Sequence, residues 1–146
     1  MIAVVQRVHS AKVDVGGQTV GRIDQGLLAL VAIQPSDTQK EIEWMALKLT
    51  QLRIFPNGDK SFDLDVRQIH GGILLVSNFT VAADARKGRR PSLDGAAPPE
   101  QGRILFDRLV EAVRDQNVPL QTGTFGAHMD ITLVNDGPIT LVLQTE

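Results

Sequence analysis

Ser77-Asn78-Phe79-Thr80 places two hydroxyls, a carboxamide and consecutive backbone N–H groups directly after Gly72-Ile73-Leu74-Leu75-Val76, a run with the composition of a buried strand. Donors that emerge where a central strand opens into a loop stand where small catalytic sites commonly form. A second stretch, Asn135-Asp136-Gly137-Pro138-Ile139-Thr140, separates the β-rich runs 129–134 and 140–143. Its Gly-Pro step lacks one N–H and leaves main-chain carbonyls free to face a ligand. Both stretches also have a purely structural reading. Hydroxyls at a strand end satisfy neighbouring backbone groups, and Asn-Asp-Gly-Pro is a common hairpin turn in which glycine takes positive φ.

The third chemical feature is a knot of charge. Arg86, Lys87, Arg89 and Arg90 surround Gly88 in a chain whose net charge is −2. Without these four cations, eleven basic residues face seventeen acidic ones. A generally acidic protein with one basic loop is ill suited to coating long nucleic acid, yet it can hold a few phosphates at one place. The same residues also suit a solvated surface loop. His9, His70 and His128 follow no metal-ligand spacing such as His-Glu-x-x-His, so neither a metal nor a cofactor is expected. Cysteine is absent, which excludes disulfides, a cysteine nucleophile and thiolate metal sites.

The elements that must position these groups fit a chain of 146 residues, enough for one domain spanning 1–146 to bury its own core. Residues 1–7 lack a basic region followed by an apolar segment, and no run reaches membrane-spanning length. The expectation is a soluble cytoplasmic protein with no membrane partner. Residues 2–8, 11–15, 18–23 and 27–33 read as strands of an antiparallel meander, with Gly16-Gly17 as a turn. Ser36-x-x-Gln39 forms a capping box for a helix near 37–52, whose stripe is Ile42, Met45, Ala46, Leu49 and Leu52. Trp44, off that stripe, suits core or interface packing. Pro98-Pro99 opens a second helix with Ile104, Leu105, Leu109, Val110 and Val113 inward, ending at Asn117-Val118-Pro119. Strands return in the final third. This layout predicts an α+β fold, mostly antiparallel and barrel-like, with two helices.

Taken in order, residues 1–8, Asp24-Gln25-Gly26-Leu27-Leu28, Ser77 to Thr80, Lys87-Gly88-Arg89-Arg90-Pro91-Ser92, Phe125-Gly126-Ala127-His128-Met129 and Asn135 to Thr140 resemble the D-aminoacyl-tRNA deacylase family. Its members remove wrongly attached D-amino acids from tRNA, and the resemblance spans essentially the whole chain. It implies a small barrel-like α+β domain, a homodimer, and D-aminoacyl-tRNA as the partner. Ser77, Asn78, Phe79 and Thr80 become the catalytic segment. Backbone N–H groups of Phe79 and Thr80 could then receive the oxyanion of ester hydrolysis. Thr80 as nucleophile competes with activation by the terminal ribose 2′-OH, which the resemblance favours.

By the same resemblance, Phe125, Gly126, Ala127 and Met129 bind substrate, and His128 lies near it without a chemical role. Gly137-Pro138 is implied to be cis and to cap the partner subunit's site as a chiral gate. That gate rejects L side chains and lets glycine pass. The basic loop holds tRNA phosphates. One departure is visible: Asn78 stands where the family usually has Gln, shortening the amide by one methylene, while Val81 for Leu is a change of packing. Two alternatives remain open: a noncatalytic tRNA-end-binding module, and a domain that binds protein or a small amino acid.

Overall fold

The computed structural model describes residues 1–146, in which a curled, mostly antiparallel sheet carries two helices. Its axis is β1 (Ile2–Val15). β2 (Gln18–Ile23) pairs with the second half of β1 and β3 (Gly26–Ala32) with the first half, both antiparallel. The expected meander is therefore corrected. β2 and β3 run end to end beside β1, because only Asp24 and Gln25 separate them and both strands find partners on the same neighbour. The two strands expected at 2–8 and 11–15 are likewise one, since Val8 and Ala11 both bury their side chains and pairing continues past His9.

β6 (Gly72–Ser77) joins β3 in parallel, and β7 (Leu120–Thr122) joins β6 in parallel. β8 (Asp130–Gln144) runs antiparallel to β1 along most of its length. The sheet order is β2-β1-β3-β6-β7 with β8 on β1, while β4 (Phe55–Asn57) and β5 (Lys60–Leu64) form a separate hairpin. Curling brings the first and last strands of that order together. A Cβ added to Gly21 on β2 would fall 2.4 Å from the Thr122 carbonyl oxygen on β7, so this close approach needs glycine. The result is a nearly closed barrel.

Both faces of β3 and β6 are covered, which explains their continuous apolar runs. Leu27, Ala29, Val31, Ile73 and Leu75 face a large core shared with the helices, whereas Leu28, Leu74 and Val76 face a smaller one with Val8, Ala11, Val13 and Ile23. α1 (Gln39–Gln51) buries Ile42, Met45, Ala46 and Leu49 in the larger core. Each large aliphatic side chain so buried contributes roughly 1.5–3 kcal/mol. Its capping box is Thr38 with Glu41, not Ser36 with Gln39. Asp37 accounts for that shift: its carboxylate accepts bonds from the Met1 ammonium at 2.5 Å and the Gln34 N–H at 2.7 Å, which holds 34–37 outside the helix. Trp44 is partly buried against the core, with the Lys48 ammonium 5.5 Å above its ring. α2 (Pro99–Arg114) buries Leu105, Phe106, Leu109 and Val113, while Ile104, expected inside, is 49% exposed. Phe106 takes the inward place beside Leu105. No helix is long and apolar enough to cross a membrane.

Candidate active site

β6 positions the first candidate segment. Ser77, its last residue, stands opposite Val31 of β3, and the Asn78 N–H donates to the Val31 carbonyl at 2.8 Å. With that strand bond made, the chain turns at once into a 3₁₀ turn over Phe79–Ala82, closed by the Val81 N–H on Asn78 O at 3.2 Å and the Ala83 N–H on Thr80 O at 3.0 Å. The N–H groups of Phe79 and Thr80 open this turn, so no carbonyl within it can receive them. Thr80 Oγ1 donates to Asn78 Oδ1 at 2.6 Å, which ties the short amide back onto the turn. Phe79 is 58% exposed.

Beside the turn lies a cleft of about 840 Å³. Ser77, Asn78 and Phe79 form one wall, and Phe125, Gly126, Ala127, His128 and Met129 form a second. The structure thus brings together seven of the expected site residues, from segments almost fifty positions apart. Thr80 does not line the cleft. Phe125 packs against Phe106, ring centroids 6.0 Å apart, and the Arg103 guanidinium lies 4.6 Å from its ring centroid. A third wall, Leu93, Asp94, Ala96, Ala97, Pro98 and Pro99, was not foreseen. The Ala97 N–H bonds Ile33 O at 2.8 Å and pins this wall to the end of β3. Its only signal in the sequence is Pro98-Pro99, which marks a helix start and no site.

Gly137 and Pro138 do not line this cleft. Their peptide bond is cis, and they sit inside β8 rather than in a hairpin. β8 pairs with β1 on both sides of the step, at Gln6 with Thr140 and at Val8 with Asn135, so residues 136–139 bulge out opposite Arg7 alone. Both residues of the step are exposed. The Asn135 amide donates to Arg7 O and Ile139 O, each at 2.9 Å, and closes the base of the bulge.

Arg7 was also missed. It is 8% exposed, donates to Ile54 O at 2.7 Å, and lies over the Phe55 ring. Its Nε is 3.0 Å from Asp136 Oδ2 but out of line for a hydrogen bond, so charge holds this pair. Asp136 also faces His9 at 3.5 Å. A sequence signal existed: Arg7 continues the inward alternation of Ala3 and Val5, and a cation in a buried strand register needs a partner.

The basic loop stands apart from the cleft's lining. Paired backbone bonds between Asp84 and Ser92, at 2.9 and 2.8 Å, close its neck. Arg86 folds onto Asp84 with Nε at 2.9 Å and Nη2 at 2.7 Å. The Arg86 side chain, then its backbone N–H, holds the Asp84 carboxyl below its usual range. Lys87, Arg89 and Arg90 are exposed and enter none of the chain's ion pairs. No group of three His, Asp or Glu side chains converges anywhere in the fold.

The family model described as D-Tyr-tRNA(Tyr) deacylase matches residues 4–144. A D-aminoacyl-tRNA deacylase from Geobacter sulfurreducens is 47% identical over 146 residues, covering 100% of this chain and 96% of that relative. One from Shewanella loihica is 49% identical over 144 residues and covers 99% of each. Among solved structures, a c-Myc DNA unwinding element binding protein superposes with a TM-score of 0.94 at 37% identity, covering 100% of this chain and 99% of that one. A probable eukaryotic D-amino acid tRNA deacylase superposes at 0.81 with 17% identity over 97% of each chain, a likeness of fold.

Proposed function

The chain belongs to the D-Tyr-tRNA(Tyr) deacylase family, and from that premise we infer that it is an enzyme hydrolysing the ester bond of D-aminoacyl-tRNA to free D-amino acid and tRNA. The observation that carries this reading is the cleft that joins Ser77, Asn78 and Phe79 to Phe125 through Met129. Its volume, about 840 Å³, suits an aminoacylated terminal adenosine, and its lining is mostly apolar with few polar groups, as small-ligand sites are.

In the proposed reaction, water adds to the ester carbonyl and the negative charge develops on the carbonyl oxygen. The N–H of Phe79, in the cleft wall, and that of Thr80, next to it at the opening of the turn, receive that oxyanion, and each such donor is worth roughly 100- to 1,000-fold in rate. The tetrahedral species then collapses, the ribose 3′-oxygen leaves and takes a proton, and the carboxylate is released. The 2′-OH of the same ribose assists the water, while the protein positions the RNA end. Thr80 is not the nucleophile in this scheme, in keeping with its hydroxyl being engaged by Asn78.

Chirality is read by the partner subunit's Gly137 and Pro138, whose carbonyls face the substrate's α-amino group in a homodimer. An L side chain meets that main-chain wall, a D side chain points away, and glycine passes. Both residues are exposed and neither lines its own cleft, which is what such a cross-subunit role requires. Lys87, Arg89 and Arg90 bind tRNA phosphates.

Matched D- and L-aminoacyl-tRNAs, and a D-aminoacyl-tRNA ending in 2′-deoxyadenosine, test the proposal together. Hydrolysis of the first, sparing of the second, and binding of the third with turnover reduced at least about 100-fold are expected. Binding of all three without turnover would make the protein a tRNA-end-binding module instead.

A further inference from the structure

The cleft wall has a cation attached to it that the reaction above leaves unused. Arg103, on α2, carries its guanidinium 4.6 Å above the Phe125 ring. A Cβ placed on Gly126 would lie 3.8 Å from its Nη2, so the group reaches the rim where Phe125 and Gly126 meet. Preceding it, Gly102 is buried and lines the cleft itself. Stacking occupies the flat face of a guanidinium and leaves its edge N–H donors available.

Those donors have no taker in the protein. Arg53, Arg67, Arg86 and Arg114 each bind a nearby carboxylate, as Arg7 does across the sheet. Arg103 enters no ion pair, although Glu100 and Asp107 lie at the helical spacings that favour one. It is held on the aromatic ring instead. The charged or titratable residues in the cleft lining are only Asp94 and His128, so Arg103 is the firm positive charge beside that wall.

We propose that Arg103 binds the phosphodiester joining the last two nucleotides of the substrate RNA, and so sets how the terminal adenosine enters the cleft. This rests on the aminoacyl-tRNA reading, because that phosphate is the first anion met on leaving the terminal ribose. A planar donor fork pre-oriented by stacking matches phosphate oxygens in a way a flexible ammonium does not. The residue is a substrate-binding group and takes no part in bond breaking.

The test compares Arg103→Gln and Arg103→Lys with the unaltered protein on D-tyrosyl-tRNA, D-tyrosyl-cytidylyl-adenosine and D-tyrosyl-adenosine, which has no phosphodiester. Arg103→Gln is expected to lower kcat/KM about three- to tenfold on the two phosphate-bearing substrates, through KM, with D-tyrosyl-adenosine unchanged. Arg103→Lys should recover part of that loss. The log–log salt slope of tRNA binding should fall by about 0.7 for the single phosphate released. Equal loss on all three substrates would make Arg103 a brace for Phe125, and no loss on any would deny it a role; either overturns the proposal. Failure of the unaltered protein to hydrolyse any of the three would instead remove the deacylase reading, and this inference with it.

Discussion

Arg7 Nε lies 3.0 Å from Asp136 Oδ2, so a cation buried in β1 grips the bulge that presents Gly137 and Pro138. The pair is well inside the protein, with side chains 10% and 22% exposed. Removing one partner leaves the other charge uncompensated, which costs more than the pair itself contributes. Arg7→Ala should lower stability by about 2–4 kcal/mol, since it also frees the Ile54 carbonyl. Asp136→Asn should cost less, and the double variant should cost less than the sum. Urea unfolding of all three measures the coupling, and strictly additive losses would show that the two side chains act independently.

Gly137 has φ of +137°, and a Cβ there would sit 2.7 Å from both the backbone nitrogen and Cγ1 of Ile139. The backbone nitrogen cannot yield as a flexible side chain would. Gly137→Ala should therefore reshape the bulge, with a stability loss of about 1–3 kcal/mol. Under the cross-subunit reading it should also impair D-ester hydrolysis or D/L discrimination well beyond what partial unfolding explains. The check is turnover on both enantiomers at a temperature where the variant remains folded; unaltered discrimination would place the gate elsewhere.

What the sequence disclosed followed the range of the interaction that decides each feature. Leu27 to Val31 and Ile73 to Val76 announce buried strands, and the α1 stripe announces its buried face, because local period and burial coincide there. The bulge at 136–139 was open to a hairpin reading because Asn-Asp-Gly-Pro has the same local chemistry in either. Pairing with a strand some 130 residues away settles it. Capping at Thr38 rather than Ser36 depends on Asp37 finding the Met1 ammonium, an ion pair no local window contains. In the candidate site, the 77–79 and 125–129 walls were legible as motifs. The 93–97 wall was not, because its tie to the end of β3 is one long-range backbone bond, Ala97 N–H to Ile33 O, and its side chains carry no pattern.

The basic loop divides into two kinds of cation. Neutralising Lys87, Arg89 and Arg90 together should weaken tRNA binding and reduce its log–log salt slope by about 0.7–0.9 for each phosphate no longer neutralised. Arg86→Gln should have a smaller effect on that slope, because Asp84 already holds the guanidinium through two of its nitrogens. Binding titrations at several salt concentrations distinguish them. Equal slopes for Arg86→Gln and for a single neutralisation at Arg89 would show that Asp84 releases Arg86 to the RNA.

Acid should loosen the segment that leads into β6. Burial raises the Asp65 pKa, yet the Arg67 side chain and the backbone N–H groups of Gln68 and Arg67 outweigh it and hold the carboxyl below its ordinary value. A carboxyl lowered by folding contributes stability that is complete above its unfolded pKa and disappears as pH falls through its folded value. Asp63, lowered first by the Asn57 amide and then by Arg53, acts in the same sense. Stability should thus be flat near neutrality and fall below about pH 4. Asp65→Asn should flatten part of that decline while lowering the plateau. A decline as steep in Asp65→Asn as in the unaltered protein would assign the acid sensitivity to other groups.

Asn78→Gln tests whether the shortened amide limits turnover. Asn78 Oδ1 accepts from Thr80 Oγ1 at 2.6 Å, a two-residue bond that fits the short side chain and holds it against the 3₁₀ turn. One more methylene carries the amide past that hydroxyl and towards the cleft that Asn78 already lines. The backbone donors at Phe79 and Thr80 are untouched, so the basic reaction should survive in both forms. Stability should change by less than about 0.5–1 kcal/mol, because this hydrogen bond is partly solvated. Turnover of D-aminoacyl-tRNA should rise with Asn78→Gln, and Thr80→Ala, which frees the Asn78 amide without lengthening it, should keep activity within about tenfold of the original. If instead Asn78→Gln leaves turnover unchanged and Thr80→Ala abolishes it, the threonine hydroxyl rather than the RNA 2′-OH carries the chemistry.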